Sequence, residues 1–364
     1  MDNPRILFIV PLPPPVHGSA MVSQAIRDSS GINRSYHTCF VNLSTSRTMT
    51  EIGRHGWRKV ARLFGSYAKA FYQLVFRRWD AAYLAITCHG IGFLKDFPFV
   101  ALCKLFAPKV ILHLHNKGLS KDIHRWPYRW LMPWAFRHTE VILLSERLYA
   151  DVSPVVQRKQ VHICPNGLST PLSGETPGRV SVPHLLFLSN LIESKGVYVL
   201  LDACRALKDR GHSFVCDFVG GETKEITRNQ LEEGIRQRNL EGYVAYHGSQ
   251  YGIAKERFFR TADIFVQPTF EDCFPLTLLE AMQHGLPIVS TDEGAIPDMI
   301  VDGENGFVCP RRNVDALVNA IEKLLNDSGL RKQMGENGRF RYKERYTLEA
   351  FDKTFQSILS DILN

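Results

Sequence analysis

Short runs of consecutive apolar residues recur along the chain, each followed by a stretch with helical spacing. RILFIVPL (5–12), AAYLAI (81–86), KVILHLH (109–115), EVILLS (140–145) and VHICPN (161–166) are apolar nearly throughout rather than alternating. That is the pattern of strands covered on both faces, as in a parallel sheet. Helical segments lie between them, so the first half reads as a βαβ series. PLSGETPGRVSVP (171–183) is rich in Gly, Pro and Ser and reads as a linker. A second series follows, with strands in HLLFLSN (184–190), SFVCDFVGG (213–221), YVAYHG (243–248), ADIFVQPT (262–269) and PIVST (287–291). Helices are expected in KGVYVLLDACRALKDRG (195–211), in PLTLLEAMQHG (275–285) and through most of the tail from Val314. The expected class is α/β, with two doubly wound domains.

Length agrees: 364 residues are too many for one ordinary core and suit two domains. Apolar residues at 45% and charged residues at 22% exclude a disordered chain, a coiled coil or a disulfide miniprotein. The net charge of +7 is unevenly spread. Residues 1–170 hold 22 basic and 9 acidic residues, a surplus of +13; the remainder holds 22 and 28, a balance of −6. Such a split points to an anionic surface as a partner of the first half. None of the eight cysteines forms a C-x-x-C pair and most sit in apolar runs, as expected for reduced core residues of a cytosolic protein. MDNPRILFIVPLPPP lacks the basic region and cleavage site of a signal peptide, so no leader is expected. The longest apolar stretch, from Ile86 to Phe106, is broken by Lys95 and Asp96, so no transmembrane span is expected either.

In open α/β sheets ligands bind beyond the carboxyl ends of the strands, so the residues following each strand carry the candidate chemistry. After the first strand, Gly18 and Ser19 open a helix, which suits an anion or a close backbone approach; a plain strand–helix turn looks the same. His113 and His115, two apart on a strand, point the same way, with His115 nearest the crevice; a structural histidine is the plainer reading. Lys195 follows a strand at a helix start, where a cation beside unpaired N–H groups favours phosphate. Asp272 precedes a helix whose first turn is Phe274, Pro275, Leu276 and Thr277, with Pro275 suited to the first helical position. The N–H groups of that turn would bind a diphosphate. Glu280 lies two turns on in an apolar setting and needs a partner, for which a sugar diol is suited. The plainer reading makes Asp272 a helix cap and Glu280 a rim residue.

Over nearly its whole length, and most specifically over residues 265–308, the chain resembles the retaining nucleotide-sugar glycosyltransferases of the GT-B fold, glycosyltransferase family 4. The family's E-x7-E stands here as D-CFPLTLL-E, Asp272 to Glu280, followed by the family-like strings LLEAMQHGLPIVSTDEGAIPDMI and DGENGFV. CPNGLS (164–169) resembles the family's interdomain segment, LSNLIESKG lies where the family has R-x4-K, and ILHLHN ends at His115, an active-site histidine in the family. Two positions depart: Asp272 replaces the first Glu, with Glu271 before it, and Asn190 replaces the Arg, leaving Lys195 as the full charge.

The resemblance implies two Rossmann-like domains facing across a cleft: an acceptor-binding domain over 1–170 and a donor-binding domain over 171–345, with a helix at about 346–364 that could pack back onto the first. It further implies transfer with retained configuration from a nucleotide-sugar, UDP-linked by family frequency. Lys195, Gly18 and the turn Phe274–Thr277 would hold the diphosphate, with Ser19, Asn190, Glu271 and Cys273 nearby. Glu280 would bind the ribose, and Asp272 and His115 the sugar hydroxyls. No D-x-D occurs, so no metal and no cofactor is expected. A dinucleotide-dependent oxidoreductase is disfavoured by the lack of G-x-G-x-x-G. A non-catalytic partner protein and a transferase with a soluble acceptor remain alternatives.

Residues 53–79 carry Arg54, Arg58, Lys59, Arg62, Lys69, Arg77 and Arg78 with no acidic residue. Trp57, Leu63, Phe64, Tyr67, Phe71 and Leu74 are spaced to share one helical face, the pattern of an in-plane membrane binder. The basic, Trp-rich stretch 117–138 would enlarge the patch. The expected partners are therefore an anionic membrane and a polyprenyl-diphosphate-linked glycan, with no nucleic acid. The expected place is the cytoplasmic side of a bacterial cell membrane, in surface polysaccharide assembly.

Overall fold

The continuous apolar runs fold as buried parallel strands in two separate sheets. The computed structural model describes residues 3–14, 18–44, 57–170 and 182–364; Arg54 and most of the linker 171–183 lie outside them. The chain divides into one unit of residues 1–167 with 348–364 and another of 168–347. The first unit contains β1 (Arg5–Val10), β2 (His37–Asn42), β3 (Ala81–Ile86), β4 (Lys109–Leu114), β5 (Glu140–Leu143) and β6 (Val161–Ile163), in the order β2-β1-β3-β4-β5-β6. The second contains β7 (His184–Leu188), β8 (Val215–Val219), β9 (Val244–Tyr246), β10 (Ile264–Val266), β11 (Ile288–Thr291) and β12 (Gly306–Cys309), in the order β12-β11-β10-β7-β8-β9. Every named pair is parallel.

β2 and β12 were not expected. Both are edge strands. HTCFVN is half-buried and mixed in polarity, and GFVC is only four residues long, so neither shows a fully covered apolar run. Three helices fill the tail: Val314–Asn326, Ser328–Arg345 and Leu348–Leu363. The last buries Phe351, Phe355, Leu359 and Ile362, a stripe at helical spacing, in the core of the first unit with Phe8, Tyr83 and Ile142. The second unit's core is separate and gathers Leu185, Phe187 and Phe218 of the sheet with Leu200, Val318 and Ile321 of the helices. Seven of the eight cysteines are buried, and burial pushes the Cys103 and Cys164 thiols well up from their ordinary value.

The strand orders fix where ligands can bind. In the second sheet the chain order reverses between β7 and β10, which pair directly, and in the first between β1 and β3. Each reversal leaves a crevice beyond the strands' carboxyl ends.

Candidate functional site

In the second unit the loops after β7 and β10 interlock. Phe270 N–H and the Thr269 hydroxyl both donate to the carbonyl of Ser194, at 2.8 and 3.0 Å. Gly196 adopts φ +85°, and a Cβ there would stand 2.2 Å from the Pro268 carbonyl oxygen, so only glycine lets the two loops approach. Lys195 lies in the short 3-10 turn Glu193–Lys195, just before the helix Val197–Asp209 rather than in its first turn. Its Nζ meets Asp272 Oδ2 at 2.6 Å and donates to the Glu271 carbonyl at 3.0 Å. An ammonium has three donors, so one remains after these two.

Asp272 is not a helix cap. Its Oδ1 accepts from Cys273 N–H at 2.8 Å, and its own N–H donates to Glu293 Oε1 at 3.1 Å. Glu293, 1% exposed, also takes Arg311 Nη1 at 2.9 Å, so a buried carboxylate anchors the loop. Gly294 adopts φ +52°, and a Cβ there would stand 2.5 Å from the Asp272 carbonyl oxygen, a second approach that admits glycine alone. Arg312 stacks over Phe270 at 4.1 Å. The helix itself is Leu276–Gln283. Pro275 stands one position earlier than expected, as the extended cap at ψ 112° with no side-chain capping bond. Leu276 and Thr277 therefore open the helix, and Thr277 Oγ1 donates to Gln267 Oε1 at 2.7 Å, tying that turn to β10.

Glu280, the carboxylate that needed a partner, has one within the chain: Lys255 Nζ at 2.5 Å, from the helix Gly252–Thr261. Asn190, at the position of the missing Arg, is exposed, and its Oδ1 accepts from Gly221 N–H at 3.2 Å, pinning the ends of β7 and β8 together. The structure thus brings together Lys195, Glu271, Asp272, Cys273 and the turn through Thr277, with Glu280 farther along the helix. Sequence reasoning missed Lys255, Glu293 and Arg311. Lys255 is 25 residues from its partner, and no local pattern marks such a contact; Glu293 stood within a segment already singled out, but its burial is a tertiary fact.

In the first unit Gly18 and Ser19 open the helix Gly18–Asp28 after β1, and His115 sits one residue past the end of β4. The rings of His113 and His115 are 4.1 Å apart, on the same side as the strand spacing requires. His113 is fully buried with Nδ1 2.5 Å from the Tyr83 hydroxyl, and burial first, then His115, holds its pKa well below the usual histidine value. Among the described residues, no group of three or more His, Cys, Asp or Glu could hold a metal.

The basic helix is Trp57–Phe76, and its apolar residues divide between two faces instead of sharing one. Ala70 and Leu74 are buried, and Tyr67 stacks on Phe99 at 4.2 Å and donates to the Lys95 carbonyl. Trp57, Phe64 and Phe71 face outward, while Arg58, Lys69, Arg77 and Arg78 are exposed and Lys59 and Arg62 half-buried. Among the described residues no helix is long and apolar enough to cross a membrane.

Two parallel, doubly wound sheets, the second with an ammonium and a helix start at its reversal point, define the GT-B fold of glycosyltransferases, and the solved structures agree. HepE from Anabaena in complex with UDP superposes with a TM-score of 0.76 at 14% identity, over 98% of this chain and all of that one. Residues 178–341, within the second unit, match the family model of glycosyl transferases group 1. Among curated relatives, the capsular polysaccharide biosynthesis glycosyltransferase CapM of Staphylococcus aureus is 23% identical over 49% of this chain. The amylovoran biosynthesis glycosyltransferase AmsK of Erwinia amylovora is 32% identical over 39%. The match spans less than half of these relatives' length, 46% and 35%.

Proposed function

We propose that the protein is a retaining glycosyltransferase that moves a hexose-type sugar from a nucleotide-sugar, UDP-linked, to a lipid-linked glycan during bacterial surface polysaccharide assembly. The Lys195–Asp272 pair at the reversal point of the second sheet is the observation that carries this reading. The spare Lys195 donor and the N–H groups of Leu276 and Thr277 would take the charge developing on the departing diphosphate. In that reaction the bond from the anomeric carbon to the phosphate oxygen breaks and one to the acceptor oxygen forms. The acceptor's proton passes to the leaving phosphate, since no other base is required. Asp272 would orient the sugar hydroxyls. Glu280, held by Lys255, would bind the ribose.

The relatives in capsule and amylovoran synthesis support the polysaccharide setting, and UDP in HepE supports the nucleotide. The basic helix Trp57–Phe76 supports an acceptor presented at the cytoplasmic face of an anionic membrane. A second reading, a GT-B partner protein without transferase activity, is favoured by Asn190, which spends its side chain on Gly221 instead of on phosphate. A thermal-shift screen against UDP, GDP, ADP and their sugars, followed by donor turnover, tests both. Stabilisation by a nucleotide with slow donor hydrolysis fits the enzyme; no response to any of them rejects the donor site.

A further inference from the structure

The first unit carries an exposed aromatic surface larger than its basic helix. On Trp57–Phe76 the outward stripe includes Trp57, 76% exposed, and Phe64, 66% exposed, with Phe71 and Val75 continuing it along the axis. The neighbouring helix Gly90–Phe106 adds Leu105 and Phe106, the latter with its ring 6.5 Å from that of Phe71. Its middle reaches the third helix, Tyr128–Phe136, through Phe97 and Trp134, whose rings are 5.5 Å apart. Trp126 is 78% exposed and Trp130 65% exposed, with Arg129 over the Trp130 ring at 5.2 Å. Soluble proteins seldom leave so many large rings together in water without a partner for them.

Charge selects the partner. The three helices hold seven basic residues and one acidic residue, Asp96, which is buried. A second copy of this surface would face cation with cation, so self-association is disfavoured. Nucleic acid would be met by the basic residues, but three helices of outward rings exceed what phosphate contacts need. Amphipathic rings over apolar stripes, flanked by Arg and Lys, match the boundary between headgroups and acyl chains.

We infer that the three helices form one platform that inserts its aromatic rings into the outer few ångströms of an anionic bilayer, with the basic residues engaging headgroups around it. Binding therefore has two components: an electrostatic one that salt removes and an apolar one that salt leaves. The inference rests on the functional reading only in placing the acceptor in a membrane.

All five tryptophans lie in the first unit, and Trp79 is the buried one, its Nε1 donating to the Gln73 carbonyl. Tryptophan fluorescence of the full chain thus reports this surface directly. The test mixes the protein with vesicles of phosphatidylcholine, with and without phosphatidylglycerol, at low and high salt, using brominated acyl chains as quenchers. We expect quenching on anionic vesicles, reduced in Trp57→Phe/Trp130→Phe. We expect Phe64→Ser/Trp130→Ser to weaken vesicle binding by at least about tenfold at either salt level. Arg58→Gln/Lys69→Gln should weaken it at low salt only. Recovery that vanishes completely at high salt, binding without quenching, tighter capture by RNA than by vesicles, or a salt-stable dimer lost in the Phe64→Ser/Trp130→Ser variant each overturns the platform. No donor or acceptor is present, so failure here leaves the nucleotide site standing, and a failed nucleotide screen leaves the platform standing.

Discussion

In the second unit the informative charges are turned inward. Lys195 and Asp272 pair with side chains only 20% and 15% exposed, Lys255 and Glu280 pair at 23% and 19%, and Glu293 is buried against Arg311. In the first unit most charges face water, Asp96 and Asp122 excepted, and among the polar groups beneath its strand ends are a neutral histidine and a tyrosine. The contrast follows from the size of what each would bind. A small polyanion is held best by a few charges fixed in advance in a half-dry pocket, where their attraction is strong. A broad surface is met by many exposed charges, each weak and each screened by salt.

The sharpest way to separate the units is through the last helix. Phe355 belongs to the first unit's core, its ring 5.4 Å from Tyr83, although it lies nine residues from the last residue of the sequence. Phe355→Ala should cost about 3–5 kcal/mol of the first unit's stability. Urea unfolding followed by tryptophan fluorescence would move to lower denaturant, while nucleotide-induced stabilisation of the second unit persists. Loss of both together would show that the units do not fold independently.

Next in size are the inward charges. Lys195→Ala and Glu280→Ala should each lower transfer about 10- to 150-fold, the worth of a charged hydrogen bond at about 1.5–3 kcal/mol. Near-normal rates in folded variants would reject the site. A smaller effect distinguishes geometry from charge: Asp272→Glu should retain more activity than Asp272→Asn or Asp272→Ala, because it keeps the carboxylate that Lys195 pairs with. If Glu proves as inactive as Ala, the loop locked by Glu293 has no room for the longer side chain, and Glu271 becomes the residue to test.

The smallest expected effect is a pH dependence. Burial raises the Asp96 pKa above the ordinary carboxylate value, with Lys95 and the Thr87 N–H opposing it. The folded state then binds the proton more tightly than the unfolded one, so this residue's contribution to stability falls as pH rises from the ordinary value through the raised one. Asp96→Asn should remove that slope. A steeper decline in the variant, measured by denaturant titration over the acid range, would contradict the assignment.

Much of this was legible from the chain. Buried parallel strands announce themselves because both faces need apolar cover, and strand ends mark where a ligand can reach backbone; hence ten of the twelve strands and the Lys195 and Asp272 loops are legible in the sequence. β2 and β12 escaped because the one is half-buried and mixed in polarity and the other is a four-residue strand with two positions only half-buried. Spacing along residues 57–76 shows which side chains align, not which of them a neighbouring helix covers, so the two faces of that helix are not legible from the sequence. That Glu280 meets Lys255, that Glu293 anchors Asp272, and that Tyr67 is covered while Phe64 is bare are outcomes of packing between distant segments. Local pattern is a property of a residue and its near neighbours along the chain; burial and charge pairing depend on what the fold brings from elsewhere, and only the tertiary structure decides that.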